Sequence, residues 1–161
     1  MLKKPSNTYL FFILAIILTS LTATFIIEHI LGHKPCKLCI YERIPYILSV
    51  FLIVKIIFFK KHVKITLLLL SLVFFFSAIL AFYHLGIEQG FFNESLVCLN
   101  ENSSKSVSKE QLLEQLNQNI ISCKDVDFKV LGLSLATINV IFSLFLSVIF
   151  VKLYLNYGKN Q

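Results

Sequence analysis

The sequence predicts an all-α fold, a membrane-embedded four-helix bundle forming a single domain over residues 1–161, and three observations carry that expectation. Of its 161 residues 57% are hydrophobic and only 15% are charged, against roughly 25% charged in an average soluble domain. Four apolar runs approach the thickness of a bilayer. The charges between them divide by sign, so that one face of the bundle is basic and the other collects the acidic residues. In lipid the backbone must satisfy its own hydrogen bonds, which makes runs of this length helices. Their core is helix packed on helix.

Met1 to Thr8 is a short polar start carrying Lys3 and Lys4. The run 9–27, Tyr9 to Ile27, is 19 residues without a charge, and at about 1.5 Å per residue it spans close to the ~30 Å hydrocarbon layer. The apolar region of a cleaved signal peptide is shorter, roughly 7–15 residues, and ends on a small-residue cleavage site. The run therefore reads as a first transmembrane helix. The second, 44–59, is interrupted only by Lys55, one turn from its end, where the side chain can snorkel to the headgroups. A basic turn, 60–64, leads to a third run, 65–83, and the fourth covers 130–151. Two loops remain, 28–43 and 84–129, the latter rich in Asn, Ser and acidic residues.

Orientation follows from the basic residues near the helix ends. Lys3, Lys4, Lys60, Lys61, Lys64, Lys152 and Lys159 gather on the face of the two termini and the 60–64 turn, with no acidic residue among them. That face is expected to be cytoplasmic, with both termini inside and both loops on the opposite side. All nine acidic residues fall on or beside the loop face. The formal net charge of +6 is thus a topology signal, and no nucleic-acid partner is expected.

All four cysteines lie in the loops, Cys36 and Cys39 in the first and Cys98 and Cys123 in the second. An even number of cysteines in the compartment where disulfides persist points to thiol–disulfide chemistry or to structural cross-links. Cys36 and Cys39 have CxxC spacing, which lets a small disulfide ring close and open because each sulfur has its partner waiting as leaving group. A Cys₄ zinc site normally shows two close pairs, whereas 24 residues separate Cys98 from Cys123, so no metal ligands are assigned. Inert disulfides, one per loop, are the structural alternative, and closing the larger loop would contribute about 3–4 kcal/mol on the chain-entropy model. The second helix must begin near Cys39, where the helix dipole lowers a thiol pKa. Arg43 at i+4 would add a fixed cation if the turn is already helical there. Pro45 prefers the first helical position, and a helix starting at Ile44 would leave Cys39 in the loop.

Glu28-His29 followed by Pro35-Cys36-x-Leu38-Cys39-x-Tyr41-Glu42-Arg43-x-Pro45 resembles the signature of the bacterial disulfide bond formation protein B (DsbB) family, quinone-linked thiol oxidases of the inner membrane. The resemblance continues in Tyr83-His84-x-Gly86-x-Glu88-x-Gly90, in the two separated loop cysteines, and in Gly132-Leu133-Ser134-Leu135-Ala136 with Asn139. It covers nearly the whole chain. Relatives often carry tryptophan after the Gly90 position and in the fourth helix, where this chain has Phe91, Phe92 and Ile138.

The resemblance implies that Cys36 and Cys39 pass electrons to a quinone, ubiquinone or menaquinone, as cofactor. It implies that Cys98 and Cys123 receive them from a periplasmic thioredoxin-like dithiol oxidase of the DsbA type, a relay that keeps the bacterial periplasm oxidising. Cys98 would form the mixed disulfide with that partner, Cys123 would exchange with Cys36, and Cys39 would be the thiolate facing the quinone. Arg43 matches the position that supports the quinone, and His84 is a candidate for the same pocket. Glu28, His29, Glu42 and Glu88 are assigned no catalytic role.

In the second loop Ser108 and Gln111 stand at capping-box spacing, and Leu112, Leu113, Leu116 and Ile120 then recur on one helical face. This predicts a short amphipathic helix, which on the membrane surface would hold Cys123 near Cys36. The expected protein is a multi-pass enzyme of the bacterial inner membrane that reoxidises its periplasmic partner and reduces quinone. The alternatives are a membrane structural protein with inert loop disulfides, or a cysteine-rich metal-binding membrane protein.

Overall fold

The computed structural model describes residues 7–33, 35–93, 123, 129–130 and 132–158. The helices are α1 (Asn7–His29), α2 (Lys37–Tyr41), α3 (Arg43–Phe59), α4 (Val63–Glu88) and α5 (Leu135–Gly158). A two-stranded antiparallel hairpin, β1 (Lys129–Val130) and β2 (Leu133–Ser134), precedes α5. Among the described residues three helices, α1, α4 and α5, are long and apolar enough to cross a membrane. At 17 residues α3 stands at the lower limit for a span. The amphipathic helix expected after Ser108, and Cys98, lie outside the described residues.

Several boundaries differ from the expected ones, each for a local reason. The third helix runs past residue 83 to Glu88 because nothing breaks it before Gly90. That residue takes a left-handed φ of +78°, and the Phe91 and Phe92 amides donate to the Gly86 carbonyl at 2.8 and 3.1 Å, closing the end as glycine C-caps do. A Cβ on Gly86 would collide with the Phe92 ring, which stacks on Tyr83 with centroids 5.6 Å apart. His84, expected in the loop, is thereby carried on the helix. The fourth helix starts at Leu135 rather than 130 because the chain first turns back on itself in the hairpin. Ser134 Oγ then accepts from the Thr137 amide at 3.2 Å, as an N-cap does, and the helix continues beyond 151 to Gly158.

Pro45 lies in the first turn of α3, where its missing N–H leaves no intrahelical bond unmade. It cannot donate to the Tyr41 carbonyl four residues back. The chain accordingly divides at Glu42, with α2 ending at Tyr41 and α3 beginning at Arg43.

The four long helices bury one apolar core. Leu10, Ile13 and Ile17 of α1 meet Ile53 and Ile56 of α3, Leu67, Leu70 and Phe74 of α4, and Leu146 and Phe150 of α5. Phe74 stacks on Phe150 with centroids 5.7 Å apart and takes Tyr46 edge-on at 5.5 Å. Between α4 and α5, small residues allow the close approach that apolar solvent does not otherwise drive. Ser147 Oγ donates to the Ser71 carbonyl at 3.2 Å, and Ser77 and Ser143 share a hydroxyl contact of 3.2 Å. Phe12, Phe51, Phe58, Phe76 and Phe145 point outward and are exposed, as side chains facing lipid tails would be. In α1 the Thr19 and Thr24 hydroxyls return to carbonyls of their own helix at 2.8 Å, so these groups need no water.

Candidate dithiol site

The site is assembled where α2, the start of α3, the end of α4 and the start of α5 converge. Cys36 is the N-cap of α2, with extended backbone, and its Sγ accepts from the Cys39 amide at 3.3 Å. One turn later Cys39 brings its own Sγ to 2.8 Å from Cys36 Sγ. Both are free thiols, Cys36 buried and Cys39 half-exposed.

His84, on the last full turn of α4, points Nε2 at Cys36 Sγ from 3.5 Å and Nδ1 at Glu42 Oε1 from 2.7 Å. A carboxylate only accepts, so Nδ1–H is the donor to Glu42 and Nε2 is left to share a proton with the sulfur. Glu42 is 7% exposed, yet both its oxygens are satisfied, the second by Asn139 Nδ2 at 2.6 Å. Asn139 Oδ1 in turn accepts from the Tyr46 hydroxyl at 2.5 Å and from Ser143 Oγ at 3.1 Å. A continuous polar chain thus runs from the sulfur through His84, Glu42 and Asn139 to the bundle interior. In so dry a place a fully satisfied network fixes one geometry, whereas a broken one is costly.

The electrostatics separate the two sulfurs. Hydrogen bonding from the Cys39 thiol holds Cys36 down, to a pKa of about 4; burial opposes the shift, and the hydrogen bond and charge of His84 reinforce it. Cys39 is pushed up, first because its proton is held on Cys36, then by burial and by the charge on Cys36. In the dithiol these contacts favour the thiolate on Cys36, whereas the thiolate expected on Cys39 is the one left when Cys36 is engaged by Cys123. The residue at the helix N-terminus is one turn earlier than the spacing suggested, and the cation expected beside Cys39 is engaged elsewhere. Arg43 Nη1 pairs with Glu28 Oε2 at 2.5 Å, both side chains partly exposed.

Cys123 is disulfide-bonded and 2% exposed. It packs in one buried cluster with Cys36, Leu38 and Ile87, against which Cys39, Leu80 and Tyr83 rest. The fold thus brings Cys36, Cys39, His84 and Cys123 together and sets Arg43 on Glu28 at the rim. Sequence reasoning passed over Glu42 and Asn139 as working parts. The available signals were an acidic residue wedged between CxxC and a helix start, and an asparagine about one turn into a mostly apolar helix.

Fold and site define a helical protein with membrane-span helices that carries a reactive dithiol packed against a disulfide-bonded cysteine. The family model for disulfide bond formation protein DsbB matches residues 6–153. The chain belongs to that family of membrane disulfide oxidoreductases. It is also 30% identical over 151 residues to an uncharacterized protein of Rickettsia prowazekii (strain Madrid E), covering 92% of this chain and 87% of the relative.

Proposed function

We propose that this chain is a four-helix inner-membrane enzyme that reoxidises a periplasmic thioredoxin-like dithiol oxidase and delivers the electrons to membrane quinone. The observation that carries the proposal is the packing of Cys123 against Cys36, because electrons must cross from one cysteine pair to the other by sulfur-to-sulfur attack. Cys98 is the partner-facing sulfur of the second pair. In the first exchange the partner's two thiols are oxidised to a disulfide while the Cys98–Cys123 disulfide is reduced to two thiols. In the second, Cys123 thiolate attacks Cys36 of an oxidised Cys36–Cys39 pair, the bond between those two sulfurs breaks, and Cys39 leaves as a thiolate. Cys98 then attacks Cys123, re-forming the second disulfide and releasing the reduced first pair.

Reoxidation of that pair gives up two electrons and two protons, which a quinone accepts as it becomes quinol. The residues present fit such an acceptor. Cys39 is the more exposed residue of the pair, and Ile40, Tyr41 and Ile44 beside it in the chain are exposed, an apolar rim for a lipid-soluble ring with the Arg43 guanidinium at its edge. His84 works on the sulfur side, holding or releasing the proton of Cys36, while Glu42 keeps its ring oriented. This extends the expectation that His84 belongs to the quinone pocket. The acidic loop face is periplasmic and the basic 60–64 turn cytoplasmic in this reading, which the distribution of lysines supports.

The test is to supply purified protein with a reduced thioredoxin-like dithiol and added quinone, and to follow the quinone's ultraviolet band. Loss of the band that depends on the dithiol, on Cys36 and on Cys98 is expected. A membrane protein with inert disulfides would leave the quinone oxidised.

A further inference from the structure

Beside the two sulfurs lies a feature that electron relay does not require. Cys36 Sγ, Cys39 Sγ and one ring nitrogen of His84 all stand within 4.8 Å of one another. The other ring nitrogen donates to the Glu42 carboxylate at 2.7 Å. That arrangement, a carboxylate on one ring nitrogen and the other aimed at the sulfurs, is the one that orients histidine ligands at metal centres once the second nitrogen gives up its proton. Glu42 is itself pinned by Asn139 at 2.6 Å. Glu88 adds an independent sign: its side chain is 7% exposed, Oε1 lies 3.8 Å from His84 Nε2, and, although the Ser134 hydroxyl bonds the carboxyl, Oε2 is buried with no hydrogen-bond partner among the described residues. A buried carboxylate oxygen left without a partner is costly, and the carboxyl that carries it lies next to the same nitrogen as the sulfurs through its other oxygen.

The geometry points to a binding site for a thiophilic divalent metal ion, Zn²⁺ foremost, on the reduced pair, with Cys36, Cys39 and His84 as ligands and Glu88 as the nearest further donor. Tetrahedral zinc with Zn–S of ~2.3 Å and Zn–N of ~2.0–2.1 Å needs sulfurs about 3.7 Å apart and sulfur and nitrogen about 3.5 Å apart. The Cys36 Sγ to His84 Nε2 distance is already 3.5 Å. The sulfurs, at 2.8 Å, must separate by about 1 Å, within reach of side-chain rotation. Two thiolates neutralise the dication, and the buried Glu42 carboxylate beside them stays held by its hydrogen bonds from His84 and Asn139. Binding displaces to water the protons still held on the thiols and on His84 Nε2. A closed Cys36–Cys39 disulfide offers no thiolate, so only the reduced protein binds, and a bound ion withholds both sulfurs from oxidation. The site uses the same two thiols as the proposed relay and holds whether or not quinone is their acceptor.

The experiment uses the full-length Cys98→Ser/Cys123→Ser variant in detergent, reduced with a phosphine in metal-free buffer and titrated with Co²⁺ alone and Zn²⁺ alone. One equivalent of Co²⁺ should give a sulfur-to-cobalt charge-transfer band with tetrahedral ligand-field bands, bleached by Zn²⁺. Glu42→Gln, which leaves all three donors, should weaken Zn²⁺ about 10- to 100-fold, and His84→Ala should weaken it further. Unchanged affinity in His84→Ala would reduce the site to a bare CxxC chelate and overturn the inference, as would an equal response from oxidised protein. Should the variants fold poorly, the zinc X-ray absorption edge of the Cys98→Ser/Cys123→Ser protein decides: two sulfur and at least one nitrogen scatterer are expected, and sulfur without nitrogen ends the proposal. Quinone reduction by the unsubstituted protein in metal-free buffer reads the relay separately. Activity there without a metal site sinks this inference alone, and a metal site without activity sinks the relay alone.

Discussion

At the level of Phe74 and Phe150, α4 and α5 meet through stacked rings, and the nearby serines fold their hydroxyls back onto the neighbouring helix. About three turns along α4, the same two helices meet instead through His84, Glu42 and Asn139, three polar side chains with directed bonds of 2.6–2.7 Å. The first region tolerates exchange among apolar shapes, because lipid and core offer similar dispersion and only the fit is lost. The second has one arrangement that satisfies both oxygens of a buried carboxylate. Stability is therefore spread over the apolar region, whereas chemistry is concentrated in the polar one. The two should respond to mutation in opposite currencies.

The largest expected effect is in the polar region: Cys36→Ser removes both the thiolate and the sulfur that Cys123 packs against, and dithiol-dependent quinone reduction should fall to background. Residual turnover carried by Cys39 alone would break the assignment of Cys36 as the exchanging sulfur. His84→Ala comes next. Proton handling by a positioned side chain typically contributes 10²–10⁴-fold, so single-turnover exchange between the pairs should slow by about 10²-fold, on top of the lower thermal midpoint that the unpaired Glu42 oxygen brings. The pH profile sharpens this. Because the Cys36 pKa lies low, at about 4, its alkylation in the wild-type dithiol should be flat between about pH 5 and pH 8 and decline only as pH drops through that value. In His84→Ala the decline should begin at higher pH. Cys39, pushed the other way, should label slowly throughout that range.

Phe74→Ala is the counterpart in the apolar region. Opening a cavity there should cost about 1–3 kcal/mol, below the 3–5 kcal/mol of a water-excluded core because lipid supplies no hydrophobic drive between helices. Thermal unfolding in detergent would report it, with the rate of thiol exchange nearly unchanged; a matching loss of exchange would show that the two regions are not separable. The smallest effect belongs to Arg43. Its ion pair with Glu28 is partly exposed, and such pairs contribute at most about 1 kcal/mol, so Arg43→Ala should leave folding and exchange intact and raise the quinone KM. Unchanged quinone kinetics would make Arg43 an interfacial anchor.

Much of this molecule was legible along the chain. The apolar runs beginning at Tyr9, Ile44, Ile65 and Val130 and the CxxC pair are local properties, set by composition over a few turns or by spacing over a few residues. They established the helices, to within several residues at their ends, and the thiol chemistry, and the motif around Cys36 pointed to the family. What only the tertiary structure decided is which groups surround the sulfur. His84 lies 48 positions from Cys36, and Asn139 lies 97 from Glu42. Whether such residues meet depends on how far α4 continues past residue 83, where α5 starts, and how each helix is rotated about its axis. A helix of uniform hydrophobicity has no polar face from which that rotation could be read. Hence the approach of His84 to Cys36 and the pairing of Arg43 with Glu28 came from packing, because helices that look alike from every side take their orientation from the few polar groups that must find one another.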